Sequence, residues 1–280
     1  GGNTISVGFN QIRPKQQRKP KKNMPKVSFV ITIHNGETHL KKCIDSVLSQ
    51  TFADFECIAL NNGSTDRTQE ILEQYTDSRL KIIRQENIGV SRSLNKGVHL
   101  SNSSLIARLD ADDAASKYRL ERQVEFMIKN PKVVLCGSKF RELIGGQSLP
   151  QKVAFIGTDP FIRKSMSLFN PFAHSTVIFR KQNFIQAGGY SEQYRNSLDY
   201  ELWLRMLDLG EARILNDVLC DIRFTKQSVS YQNKRRQKLE ALFIRWNAFK
   251  KFGGNPAEAF YYLIKSLIGL IFPSINYFNR

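Results

Sequence analysis

Cysteine is scarce in this chain. The four present, Cys43, Cys57, Cys136 and Cys220, are scattered, with no CxxC pair and no disulfide-framework density. A stapled secreted module is excluded, and reduced thiols in a cytosolic setting are expected. Acidic residues are also short, 25 Asp and Glu against 42 Lys and Arg, for a formal charge of +17. That balance favours anionic partners such as nucleotide phosphates, acidic lipid headgroups or nucleic acid. The last is disfavoured, because the charge is heaviest in the tails and no nucleic-acid-binding motif is present. The N-terminal region has no continuous apolar stretch, so no secretory signal is expected. With 41% hydrophobic residues over 280 positions, the chain can bury a core for one large domain, with or without an appendage.

Three zones differ in composition. The first 25 residues are polar and basic, interrupted by Pro14, Pro20 and Pro25. Such a stretch buries too little apolar surface to order itself and reads as a flexible tail. From Val27 strands and helices alternate. Val27 to Ile33 reads as a strand, and Leu40, Cys43, Ile44, Val47 and Leu48 then recur at helical spacing. Phe55 to Leu60 reads as a second strand, followed by a turn at Asn61-Asn62-Gly63-Ser64 and a helix through Ile71, Leu72 and Tyr75. Leu80 to Ile83, Val90 to Leu100 and Leu105 to Leu109 repeat the strand, helix, strand order. This alternation predicts a parallel sheet covered on both faces, with ligands beyond the carboxyl ends of its strands.

The run Leu109-Asp110-Ala111-Asp112-Asp113 falls at such an end. Three carboxylates in four positions repel one another, and a hard divalent cation among them relieves the repulsion. Magnesium or manganese held by one or two carboxylates keeps coordination places for substrate phosphates. The other reading is a solvated acidic turn before the next helix, near Lys117. The Asn61-Asn62-Gly63-Ser64 turn also lies at a strand carboxyl end, which supports a site there.

Further landmarks follow in order: Asn35, Ser49-Gln50-Thr51, Asn62-Gly63-Ser64-Thr65-Asp66, Gln85-Glu86-Asn87-Ile88-Gly89, Ser93-Leu94-Asn95, Ala107 to Asp113, Asn170-Pro171 with His174, Gly188-Gly189-Tyr190, and Asp199-Tyr200-Glu201-Leu202-Trp203. Together they resemble the family-two, inverting nucleotide-sugar glycosyltransferases, over roughly Pro25 to Ser230. The resemblance implies an α/β GT-A fold, a mostly parallel central sheet flanked by helices, with a C-terminal helical extension. Residues 1–25 would be the basic tail, 26–230 the catalytic domain and 231–280 the extension.

The resemblance also implies roles. Asp110 and Asp112 match the DxD motif, whose second aspartate usually contacts the Mn2+ or Mg2+ that bridges the donor diphosphate. Asp199 matches the general base of inverting members; its other reading is a charge favouring the dipole of a helix N-terminus. Thr32, His34, Asn35, Asn61 and Asn62 fall at donor-binding positions. So do Asn87, Arg92 and Ala111, although Arg92 equally suits a solvent-facing helix position. His174 matches a position near the acceptor or diphosphate, or is a satisfied structural histidine. Trp203 reads as core, and Arg108 as a partner of the acidic run. The implied partners are a nucleoside-diphosphate sugar, UDP-sugar favoured, and a glycan or lipid-linked acceptor of surface polysaccharide synthesis. An anionic membrane surface and a second copy of the chain complete that set, with the protein cytoplasmic and peripheral on the membrane.

Three positions depart from the family pattern. Asn61-Asn62 stands where Asp-Asp is usual, Leu198 where a glutamate precedes the base, and Thr225 where a histidine precedes Ser228-Val229-Ser230. These substitutions motivate the alternative of a weakly active or inactive sugar-nucleotide-binding scaffold. In the extension, Leu239, Leu242, Phe243, Trp246 and Phe249 are expected to form one apolar helix face. The segment Ala257 to Phe272 is too short and interrupted for a span of about 20 apolar residues. It suits an interfacial helix, or one that packs on the catalytic domain or across a dimer.

Overall fold

The computed structural model describes residues 24–144, 147–150, 157–224, 233–258, 260–262 and 264. The expected basic tail up to residue 23, Thr225 and most of the Ala257 to Phe272 segment therefore lie outside the described residues. β1 (Val27–Ile33), α1 (Leu40–Leu48), β2 (Phe55–Asn62), α2 (Thr68–Glu73), β3 (Leu80–Gln85), α3 (Val90–Leu100) and β4 (Leu105–Arg108) alternate along the chain. The four strands pair in parallel in the order β3-β2-β1-β4.

Successive strand residues face opposite sides of this sheet, and two cores result. Phe29, Ile31, Ile33, Cys57 and Ala59 pack with Leu40, Cys43, Ile44 and Val47 of α1. Val30, Ile58 and Leu60 pack on the other face with Leu94 and Val98 of α3. Gly97 lets α3 come close, since a Cβ there would lie 2.5 Å from Val30 Cγ1 and 2.8 Å from Leu60 Cδ1.

Beyond β4 the sheet is mixed. β5 (Ala114–Ala115), α4 (Arg119–Lys129), β6 (Val133–Ile144), β7 (Gln147–Pro150) and α5 (Asp159–Ser165) come first. A 3-10 turn at His174–Thr176, β8 (Ile178–Arg180), α6 (Lys181–Gln186), α7 (Leu198–Met206), β9 (Glu211–Arg223) and α8 (Lys234–Phe252) follow. β8 runs antiparallel to both β4 and β6, β9 is parallel to β6, and β5 and β7 add antiparallel pairs.

The buried Arg119 ties the two halves together. Its guanidinium donates to the carbonyls of Arg108 (2.8 Å) and Val177 (3.0 Å) and to Gln123 Oε1 (3.0 Å), and lies over the Phe29 ring. Both carbonyls belong to the segments that carry the acidic run and the His174 turn. Arg119→Ala removes all of these bonds from a dry interior, although the Val177 carbonyl keeps the Arg108 N–H at 3.0 Å, and is expected to destabilise the fold by about 3 kcal/mol. Urea denaturation measures this; a midpoint equal to wild type would refute it.

α8 departs from its expected orientation. It buries Glu240, Ile244 and Ala248, while Leu239, Phe243 and Trp246 face outward. Apolar side chains surround this helix, so periodicity did not identify the inner face. Among the described residues, no helix is long and apolar enough to cross a membrane.

Candidate active site

The loops after β1, β2 and β3 are stitched together at the carboxyl edge of the parallel strands. Asn35 has the left-handed φ of 53°, which asparagine tolerates better than most side chains. Its N–H donates to Ser64 Oγ (3.0 Å), and its Oδ1 accepts from the Thr65 N–H (2.9 Å). His34 Nδ1 lies 3.1 Å from the Asn62 carbonyl, and Thr32 Oγ1 donates to Ser93 Oγ at 2.8 Å.

Asn61 and Asn62 are buried, and protein groups engage their amides. Asn61 Nδ2 donates to Gln69 Oε1 (2.7 Å), and its Oδ1 accepts from the Ser64 N–H (3.0 Å). Asn62 Oδ1 accepts from Gln85 Nε2 (2.9 Å) and the Ile88 N–H (3.1 Å), while its Nδ2 donates to Asn87 Oδ1 (3.3 Å). A neutral amide both donates and accepts here, where a carboxylate only accepts. Arg92 stands apart: it is exposed and paired with Glu192 at 2.7 Å.

The acidic run follows β4. Arg108 is buried and forms an ion pair with Asp110. The Ser175 hydroxyl accepts from Arg108 Nη1 (3.2 Å) and the Asp110 N–H (3.1 Å). It faces Asp110 Oδ2 (2.9 Å) and also bonds Asp113 Oδ2, so two carboxylates share one hydroxyl proton. Asp113 Oδ1 accepts from the Arg223 N–H at 2.7 Å. Burial alone would raise Asp110, but the Arg108 guanidinium overrides it and holds this carboxyl at about 2. Burial, then repulsion from Asp110, pushes Asp112 up to about 6. Burial and both neighbouring carboxylates push Asp113 up to about 8.

Among the described residues no three His, Cys, Asp or Glu side chains converge on one point, because Asp110 turns to Arg108 and Asp113 to the Arg223 backbone. Among the described residues Asp112 has no hydrogen-bond partner beyond its own backbone, and it lies beside Asp110, whose side chain is 42% exposed. Two oxygen donors with excess negative charge fit a hard divalent cation that takes its other ligands from phosphate and water.

The third group sits across from this run. The Gly188-Gly189 turn has φ values of 85° and 69°. It presents the Tyr190 N–H to Asn95 Oδ1 at 2.8 Å. A Cβ on Gly189 would approach that oxygen to 2.7 Å, so the close turn requires glycine. The Tyr190 hydroxyl meets His174 Nε2 at 2.8 Å. Burial, then the charge of Arg108, drives the His174 pKa well below its ordinary value, so the imidazole is neutral. Trp203 is fully buried against Phe172, His174 and Tyr190, as a core residue.

Asp199 opens α7, and its Oδ2 accepts from Asn170 Nδ2 at 2.8 Å. Burial raises its pKa; the Tyr200 N–H, Asn170 and the Arg108 charge oppose the shift without cancelling it. Arg108 thus acts on both Asp110 and Asp199, and Tyr190 senses all three. Ser175, Asn170 and Tyr190 carry no local sequence signal of these roles. All three lie within or beside the quoted landmarks, but their partners are 16 to 65 positions away.

The sequence profile of Glycosyl transferase family 2 matches residues 28–189. The amylovoran biosynthesis glycosyltransferase AmsE of Erwinia amylovora is 29% identical over 255 residues, 87% of this chain and 94% of that one. The O-antigen biosynthesis glycosyltransferase WbnJ of Escherichia coli is 33% identical over 185 residues, 65% of this chain and 72% of that one. Crystalline S. aureus TarS in complex with UDP superposes with a TM-score of 0.65 at 18% identity, covering 90% of this chain and 73% of that one. The mannosyltransferase PcManGT from Pyrobaculum calidifontis, in complex with GDP-Man and Mn2+, gives 0.64 at 17%, covering 89% and 70%. The structural likenesses establish the GT-A fold, with parallel strands β3-β2-β1-β4 and a mixed remainder. By a profile spanning more than half its length, this chain belongs to glycosyl transferase family 2 and is a glycosyltransferase.

Proposed function

We propose that the enzyme transfers one sugar, with inversion, from a nucleoside-diphosphate sugar to a hydroxyl of a glycan or lipid-linked acceptor in surface polysaccharide synthesis. The observation that carries this reading is Asp199: a carboxylate oriented by Asn170, with a raised pKa, and within electrostatic reach of the Arg108 that pairs with Asp110. A single displacement needs one base on the acceptor side. Asp199 takes the acceptor O–H proton as that oxygen bonds the anomeric carbon. The bond from that carbon to the diphosphate breaks, and its electron pair leaves with the nucleoside diphosphate.

Asp112, with Asp110, would hold Mn2+ or Mg2+, which when bound neutralises charge on the departing diphosphate. The ion pair with Arg108 and the hydrogen bond to Ser175 fix the orientation of Asp110. The stitched loops around Asn35, Asn61 and Asn62, with Asn87, would form the nucleoside side of the donor site. UDP bound to TarS and GDP-Man bound to PcManGT support a nucleotide-sugar donor. The names of AmsE and WbnJ support a polysaccharide product.

A donor panel of UDP-, GDP- and dTDP-sugars with Mn2+ tests this. Release of nucleoside diphosphate from one donor, lost in chelator, is the expected result. Nucleotide stabilisation without turnover, even with acceptors present, would favour a binding protein. No binding of any nucleotide would remove the donor assignment.

A further inference from the structure

The outer face of α8 has no partner within the described fold. Phe243 is 66% exposed and Trp246 53%, and Leu239 shares their face. The spacings 239, 243 and 246 are the i, i+4 and i+7 of one helical stripe. Phe260, Tyr261 and Ile264, just beyond α8, are exposed too. Exposed aromatic side chains aligned on one helical stripe mark an interaction surface.

The residues that continue the stripe determine its chemistry. Arg235, exposed, lies one turn before Leu239, and Lys250 lies one turn after Trp246, with its ammonium 5.1 Å from the Trp246 ring centroid. The sequence along this line is therefore cation, Leu, Phe, Trp, cation. Aromatic rings that sit at a bilayer interface, bracketed by basic side chains that reach phosphate, are the composition of an interfacial helix. The chain's excess of 42 basic over 25 acidic residues acts in the same direction.

The opposite face of α8 leads to the site. Glu240 accepts from the N–H groups of Arg195 (3.2 Å) and Asn196 (2.9 Å), immediately before α7 and Asp199. We infer that the Leu239-Phe243-Trp246 face, with Arg235 and Lys250, seats the enzyme on an anionic bilayer and holds the Asp199 helix near that surface. Its consequence for catalysis rests on the proposed lipid-linked acceptor; the binding does not.

The chain has two tryptophans, and Trp203 is fully buried, so Trp246 reports on this face. The probe is a vesicle of equimolar phosphatidylcholine and phosphatidylglycerol, added to the full chain without donor or acceptor. Trp246 emission should shift to the blue and be quenched by brominated acyl chains, and both signals should vanish in Trp246→Phe. Leu239→Ser with Phe243→Ser should weaken partitioning roughly tenfold or more. Arg235→Glu with Lys250→Glu should weaken it about 30-fold or more. All four side chains are exposed, and an unchanged melting temperature verifies folding. Sedimentation with vesicles but no quenching of Trp246 would assign binding to other basic residues and overturn the inference. So would Trp246 already shielded from iodide in buffer, with light scattering separating a second copy from the chain's own C-terminal residues as its cover. Loss of donor turnover with lipid binding intact would instead count against the proposed reaction alone.

Discussion

Asp199→Asn is expected to lower kcat by about 10²- to 10⁴-fold, the span a positioned general base contributes, with donor affinity near wild type. The substitution is nearly isosteric, and the new amide oxygen still accepts from Asn170 Nδ2, so the loop before α7 keeps its geometry. What disappears is the ability to take a proton. Burial raises the Asp199 pKa, so more of the enzyme carries the protonated, inactive acid at low pH than an ordinary aspartate would. Wild-type kcat/KM should therefore fall as pH drops through that raised value and level off above it. With Mn2+ saturating at every pH, so that proton loss from Asp112 does not shape the profile, the residual activity of Asp199→Asn should lack this acidic limb. His174 adds no limb at neutral pH, because burial and Arg108 keep its imidazole neutral. A variant that retains wild-type kcat, or keeps the same acidic limb, would show that another group is the base. NMR of the product's anomeric proton tests inversion directly: a configuration matching the donor's would end the single-displacement reading.

The sequence was most informative where elements are long enough to show a period. Strands β1 to β3 and helices α1 and α3 each carry several turns or alternations, and the inward residues of α1 are those its spacing predicted. β8, with three residues, and β5, with two, are too short for any pattern. The mixed half of the sheet was therefore illegible, since β8 and β5 make three of its antiparallel pairings. The site divides in the same way. Asp110 and Asp112 stood out as clustered carboxylates at a strand end, whereas Asp199 was assigned through the family resemblance, its local pattern fitting a helix N-terminal charge equally well. Ser175 did not, because a serine 65 positions from Asp110 has no local signature of the carboxylates it joins. Asn61 and Asn62 show the opposite limit. Their substitution for aspartate was visible, but the internal network of Gln69, Gln85 and Asn87 that satisfies their amides was not.

Asp112→Asn should abolish stabilisation by Mn2+ and lower kcat/KM by about 10²-fold or more, the loss of several kcal/mol of charge stabilisation at the diphosphate. The stronger test follows from the titration of the acidic run. In the protein alone, Asp112 and Asp113 hold their protons up to about 6 and about 8, well above the usual 3.9 for an unfolded aspartate. The folded chain then binds more protons than the unfolded one between about pH 4 and pH 8, so these two groups make the fold less stable as pH rises. A divalent cation reverses that contribution, because it binds the carboxylates only as they lose their protons. Stabilisation by Mn2+, measured as melting temperature with the ion minus that with chelator, should be near zero at pH 5 and grow through pH 6 to 8. It should reach roughly 5 °C with millimolar ion. Buried neutral histidines such as His174 give an opposite slope with and without the ion, and the subtraction removes them. In Asp112→Asn the difference should stay flat across the range. A wild-type difference that is large at pH 5, or one that survives the substitution, would place the cation away from Asp112.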